Sequence, residues 1–132
     1  MSQSIDYEVW GPRILTVLRV MAGLLFLEHG TQKILGFPPS ANPGPALLSL
    51  MGIQGLIELV GGVLIVVGLF TRPVAFILCG DMAVAYFMSH FPNSFFPITN
   101  RGDAAILYCF VFLYLAAAGG GPWSLDASRQ KS

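Results

Sequence analysis

PRILTVLRVMAGLLFLEHGTQKIL, Pro12 to Leu35, is long and mostly apolar, yet it carries Arg19, Glu28, His29 and Lys33. A helix crossing a hydrocarbon core about 30 Å thick needs about 20 predominantly apolar residues. Three further stretches come near that length: Gln54 to Phe70, Pro73 to His90 and Gly102 to Ala118. Pro12 and Pro73 suit a first helical turn, Phe91-Pro92 closes the third stretch, and Gly119-Gly120-Gly121-Pro122 closes the fourth. None shows the period-two alternation of a barrel strand. The expected fold is all-α, a four-transmembrane-helix bundle forming a single integral membrane domain over residues 1–132, with spans at about 12–35, 54–70, 73–90 and 102–118.

Composition agrees. Of 132 residues, 55% are hydrophobic and 11% charged, against roughly 25% charged in soluble domains, and mean hydropathy is +0.70. Seven basic and seven acidic residues give no net charge, so there is no basic field to hold nucleic acid. The polar start, with Asp6 and Glu8, lacks the basic region and cleavage site of a signal peptide, so the first apolar segment is expected to stay in the mature protein. Cys79 and Cys109 form no C-x-x-C and read as small buried hydrophobes.

Basic residues set the expected orientation. Arg13, Arg72, Arg129 and Lys131 fall on one side of the spans, Lys33 and Arg101 on the other, which puts both termini of this multi-pass chain in the cytoplasm. Trp10 and Trp123 flank the bundle at the cytoplasmic interface, where amphipathic rings anchor. The first outer loop, FPPSANPGPALLSLMG, is uncharged and ends in an apolar run, Ala46 to Met51, too short to span; it reads either as an interfacial lid or as a plain loop.

Ionisable groups inside spans are costly in lipid, so each should face the bundle interior. Arg19, Ala22, Phe26, His29 and Lys33 share one stripe of the first helix, whereas Glu28 lies off it. Counting about 1.5 Å per residue brings His29, Lys33, Glu58, His90 and Asp103, from four helices, to one level in the outer leaflet. Two imidazoles, two carboxylates and an ammonium there would form a ligand-binding chamber suited to acid/base or proton-coupled redox chemistry. The competing reading is that these groups only pair with one another and cap helix ends near the headgroups. His29, His90, Glu58 and Asp103 have donor types that suit zinc or iron, but no H-x-x-H or E-x-x-H spacing supports a metal, and none is assigned. Deeper in, Arg19 and Asp81 read as a structural ion pair. Gly61 and Gly62 share a helix face with Glu58 and should bring it against a neighbouring helix, most naturally the first.

Four blocks, in order, resemble the DoxX family over nearly the whole chain: R-V-M-A-G-L-L-F-L-E-H-G-T-Q-K (Arg19 to Lys33), E-L-V-G-G-V-L-I-V-V-G-L-F-T-R (Glu58 to Arg72), N-R-G-D-A-A-I-L-Y (Asn100 to Tyr108) and G-P-W-S-L-D (Gly121 to Asp126). In relatives the third block usually reads Asn-Gly-Gly-Glu; here Arg101 stands for a glycine and Asp103 for a glutamate. The resemblance implies a four-helix inner-membrane protein that accompanies redox systems, some relatives resembling quinone-linked sulfur oxidoreductase subunits and others belonging to complexes that handle oxidative stress.

The expected function is an accessory subunit that binds a small redox molecule, a quinone or a sulfur or thiol species, in the chamber. His29 and His90 would exchange protons or hydrogen-bond a quinone oxygen, Glu58 and Asp103 would orient them, and Lys33 would stabilise negative charge. With no flavin, haem or dinucleotide motif and no cysteine pair, electrons must come from a membrane or membrane-associated redox partner protein. The alternatives are a small solute transporter, with Asp81, Arg19 and Glu58 lining a path and homo-oligomerisation supplying enough helices, or a scaffold without chemistry.

Overall fold

The computed structural model describes residues 6–40 and 48–130. Among them every regular element is helical. Helix α1 (Tyr7–Leu35, 29 residues) starts before Pro12 because Asp6 caps it, its carboxylate accepting the Glu8 amide at 3.1 Å. Helix α2 (Leu50–Val67) is likewise capped, the Ser49 hydroxyl accepting the Gly52 amide at 3.1 Å, so it begins at Leu50 and not at Gln54. The end of the outer loop's apolar run is therefore helix, while the choice between lid and loop falls on residues 41–47, outside the described ones.

Helix α3 (Thr71–Ala85) runs on through a π-helical turn, Tyr86–His90, and a 3-10 turn, Phe91–Asn93. One short turn, α4 (Pro97–Asn100), leads into α5 (Asp103–Ala118), and α6 (Leu125–Gln130) closes the chain. Three helical stretches, Tyr7–Leu35, Leu50–Val67 and Thr71–Asn93, are long and apolar enough to cross a membrane. The 16 residues of α5 reach about 24 Å, enough with modest local thinning of the bilayer.

The bundle is built of two tight pairs, α1 with α2 and α3 with α5; α2 meets α3 less extensively, and α1 touches α5 at few points. Close approach of α1 and α2 depends on glycine. A Cβ on Gly30 would lie 2.5 Å from the Leu59 nitrogen, and one on Gly62 would lie 2.9 Å from the Leu27 Cα. Where the pairs join, Phe26, Ile65, Leu78, Phe112 and Leu115 are fully buried. Outward-facing Leu24, Leu25, Val60, Phe76, Leu107 and Phe110 stay exposed, as a lipid-facing surface requires.

Candidate functional site: a polar chamber between the helices

Lys33 and Glu58 form the centre. Because α1 and α2 are antiparallel and closely packed, the last turn of α1 meets the first half of α2, and the Lys33 ammonium donates to both Glu58 oxygens, at 2.8 and 3.1 Å. Glu58 is 1% exposed, and the Lys33 side chain is 24% exposed. As the glycines suggested, Glu58 meets the first helix, with Gly62 facing Leu27 of α1; Gly61 instead faces Leu78 of α3. Asp81, on α3, lies within electrostatic reach of Glu58, Gln54 and Lys33, and its Oδ2 is buried with no hydrogen-bond partner. Lys33 thus pairs with one carboxylate and lies within electrostatic reach of a second.

Beside this trio is a cavity of about 310 Å³, whose wall includes His29, Lys33, Glu58 and His90. Four of the five residues expected in the chamber therefore surround one space. Asp103 does not: it is exposed in the first turn of α5, where a negative charge complements the helix dipole. Phe26, Met82 and Ala105 supply apolar wall, and Gln54, Ser89, Arg101 and Tyr108 add polar groups that the sequence reading passed over.

The two imidazoles are differently placed. His90 ends the π-helical turn, whose extra residue changes the direction of the side chains that follow. Its Nδ1 lies 3.0 Å from the Asn100 carbonyl oxygen. A carbonyl only accepts, so Nδ1 carries the proton, and Nε2 of the neutral ring remains an acceptor. Asn100, buried at 3% exposure, is fixed in turn: its amide nitrogen donates to the Tyr86 hydroxyl (3.1 Å) and the Ser94 carbonyl (3.0 Å), and its side-chain oxygen accepts the Gly102 amide (2.7 Å). His29 makes no hydrogen bond to a described residue and stands edge-on to Tyr108, ring centroids 6.0 Å apart. His90 can therefore accept from a ligand through Nε2, and His29 can donate to or accept from one. Among the described residues no three of His, Cys, Asp and Glu are grouped to hold a metal ion.

The expected Arg19–Asp81 pair is not formed. Arg19 is 2% exposed and donates to the carbonyls of Gly120, of Val66 at 3.3 Å and of Trp123 at 3.1 Å. Counting rise alone left out where α3 begins. Arg19 packs against Gly68, at the turn that precedes α3, whereas Asp81 lies ten residues beyond Thr71, about 15 Å farther along. The Val66 carbonyl in the last turn of α2, which lacks an intrahelical partner, and the Gly120 and Trp123 carbonyls after α5 take up the guanidinium instead.

The same end holds Asp126, which sequence reasoning did not single out although it closes the G-P-W-S-L-D block. Its carboxylate accepts the Phe70 and Thr71 amides, both at 2.8 Å, and its own amide donates to Gly68 at 2.9 Å. Phe70, at φ 52, has the left-handed backbone that this clamp secures. Burial pushes the Asp126 carboxyl up, but hydrogen bonds from Thr71 and Phe70, with Arg129 nearby, outweigh it and hold the group below the usual carboxylate range. The two cysteines, read as no pair, meet across α3 and α5 as free half-buried thiols, sulfurs 3.6 Å apart.

An all-helical chain with three long apolar helices, a shorter fourth and a polar chamber is a multi-pass membrane protein. The family model described as DoxX matches residues 14–91. The chain belongs to the DoxX family. An uncharacterized protein of Haemophilus influenzae is 43% identical over 126 residues, covering 92% of this chain and 94% of the relative. An uncharacterized membrane protein of Mycobacterium tuberculosis is 31% identical, covering 92% and 84%. The Escherichia coli inner membrane protein YphA is 27% identical, covering 92% and 94%. No solved structure matches the chain. The protein is a multi-pass inner-membrane protein.

Proposed function

We propose that the chamber binds a small redox molecule, a quinone headgroup or a sulfur or thiol species, and that the protein serves as an accessory subunit of a membrane redox or detoxification system. One observation carries this reading: His29, Lys33, Glu58 and His90, from three helical segments, surround a single cavity of about 310 Å³. That volume suits a ring-sized headgroup. His90 Nε2 accepts from a quinol hydroxyl, and His29 and the Tyr108 hydroxyl reach the other side of the ring. Lys33, held by Glu58, places positive charge where a reduced oxygen becomes anionic. A partner protein supplies the electrons, and both termini face the cytoplasm, a topology checked by a reporter fused after Ser132.

The test pairs two measurements on the same variants. The protein is purified in mild detergent, and retained lipid-soluble molecules are identified by mass spectrometry alongside the melting temperature. His29→Ala is expected to lose the ligand while stability stays within about 1 kcal/mol, since a half-open site carries little packing. A His29→Ala protein that melts early yet keeps full occupancy makes the cluster a scaffold and removes the ligand reading. Solute flux in liposomes without any retained redox molecule would favour the transporter instead.

A further inference from the structure

At the opposite end of the bundle, where α1 and α5 barely touch, two grooves adjoin. One, of about 940 Å³, is lined by Arg72 and Arg129 together with the glycine turn after α5. The other, of about 640 Å³, is apolar and runs along Trp10, Ile14 and Leu18 of α1. They share Tyr7, Gly11, Leu15 and Tyr114, so they are one continuous crevice with a cationic head and an apolar tail.

The head is held in place and carries excess positive charge. Arg72 lies over the glycine turn, its Nε 3.1 Å from where a Cβ on Gly119 would stand, and its side chain makes no hydrogen bond or ion pair to any described residue. Arg129 stacks on Phe70, 5.1 Å from the ring centroid. Among the described residues of this wall the carboxylate of Asp126 accepts the Phe70 and Thr71 amides and interacts electrostatically with Arg129, so two arginines against one carboxylate leave one positive charge in excess. An amphipathic anion fits such a shape, and a free phosphate leaves its apolar half empty. We propose that the crevice is a binding site for an anionic glycerophospholipid, its phosphate on Arg72 and Arg129 and one acyl chain along Ile14 and Leu18. The site is separate from the chamber, and it stands whatever the chamber binds.

The test uses the whole protein in detergent. Retention of phosphatidylglycerol and phosphatidylcholine is compared by native mass spectrometry and thermal shift, with glycerol phosphate added in excess as a headgroup without chains. Phosphatidylglycerol is expected to be retained about tenfold or more in preference to phosphatidylcholine, from two cationic contacts, and glycerol phosphate should not displace it. Arg72→Gln with Arg129→Gln should bring the preference to about unity with helical content unchanged. Leu18→Trp, which fills the tail groove and leaves the charges intact, should weaken retention of both lipids. Equal retention of the two lipids by the unmodified protein, displacement by glycerol phosphate, or an undiminished preference in a folded double variant would each overturn the proposal. Should the double variant not fold, the unmodified protein's preference and the Leu18→Trp result still decide.

Discussion

The two ends of the bundle handle buried polarity in opposite ways. At the terminus-bearing end, Arg19 and Asp126 address their hydrogen bonds to the backbone: Arg19 to carbonyls of α2 and the Gly120–Trp123 segment, Asp126 to the first amides of α3. At the other end Lys33 pairs with Glu58 and Asn100 is held by Tyr86, Ser94 and Gly102, while His29, Tyr108 and Arg101 border a cavity. Polar groups used up by the backbone hold a fold together, and polar groups left over can meet a ligand. Substitutions at the first end should therefore cost stability, and those at the second should cost occupancy.

The largest effect is expected at Arg19. Arg19→Met deprives three carbonyls, one in a buried and two in part-buried bonds, of their donor and should cost about 3 to 5 kcal/mol, read as lost folding yield and early melting. Asp81→Asn in the same background tests the geometry further. Groups this far apart should add within about 0.5 kcal/mol, and a strong rescue would mean that the two are partners after all.

Asp126 comes next. Asp126→Asn keeps the shape but weakens the clamp on Phe70 and Thr71, at a cost of about 1 to 2 kcal/mol in the melting curve. Because the folded carboxyl lies below its ordinary range, its contribution is present above about pH 4 and fades as pH falls through the folded value. The variant should lose the part of the acid sensitivity that the unmodified protein shows in that window.

The fold was legible because span length and proline and glycine punctuation do not depend on partners. Boundaries slipped where capping residues decided them, as Asp6 and Ser49 did. Within the chamber, helical spacing and depth found His29, Lys33, Glu58 and His90, since depth needs only the rise per residue. Direction around the helix was harder. It misplaced Asp103, which is exposed, and it could not know that Arg19 stands level with the α2–α3 turn. Backbone donors and acceptors leave no mark in sequence, so the roles of Arg19 and Asp126 were hidden although both stand in the blocks that carry the family resemblance. The contact between Cys79 and Cys109 depended on how α3 docks on α5, and no local spacing encodes that.

The smallest expected effect is the most discriminating, because it sets the two ends' rules against each other at one residue. Arg101 ends α4 at φ 63, a left-handed conformation that glycine adopts freely and an L residue with a Cβ adopts at a cost. Its backbone N–H caps α4 on the Pro97 carbonyl, but its side chain makes no hydrogen bond or ion pair to any described residue that could offset the strain. Arg101→Gly should therefore raise stability by about 0.5 to 1 kcal/mol, the relief of strain exceeding glycine's greater unfolded-state entropy. Arg101→Asn should fall between the two, since asparagine tolerates this region. Arg101 also borders the cavity, so an anionic or electron-rich ligand should be held less well by the glycine variant. Rising melting temperature with falling occupancy would identify Arg101 as a residue kept for the ligand at the expense of the fold. A lower melting temperature would instead show that its side chain supports the turn, and would place it with Arg19 and Asp126 among the residues that hold the bundle together.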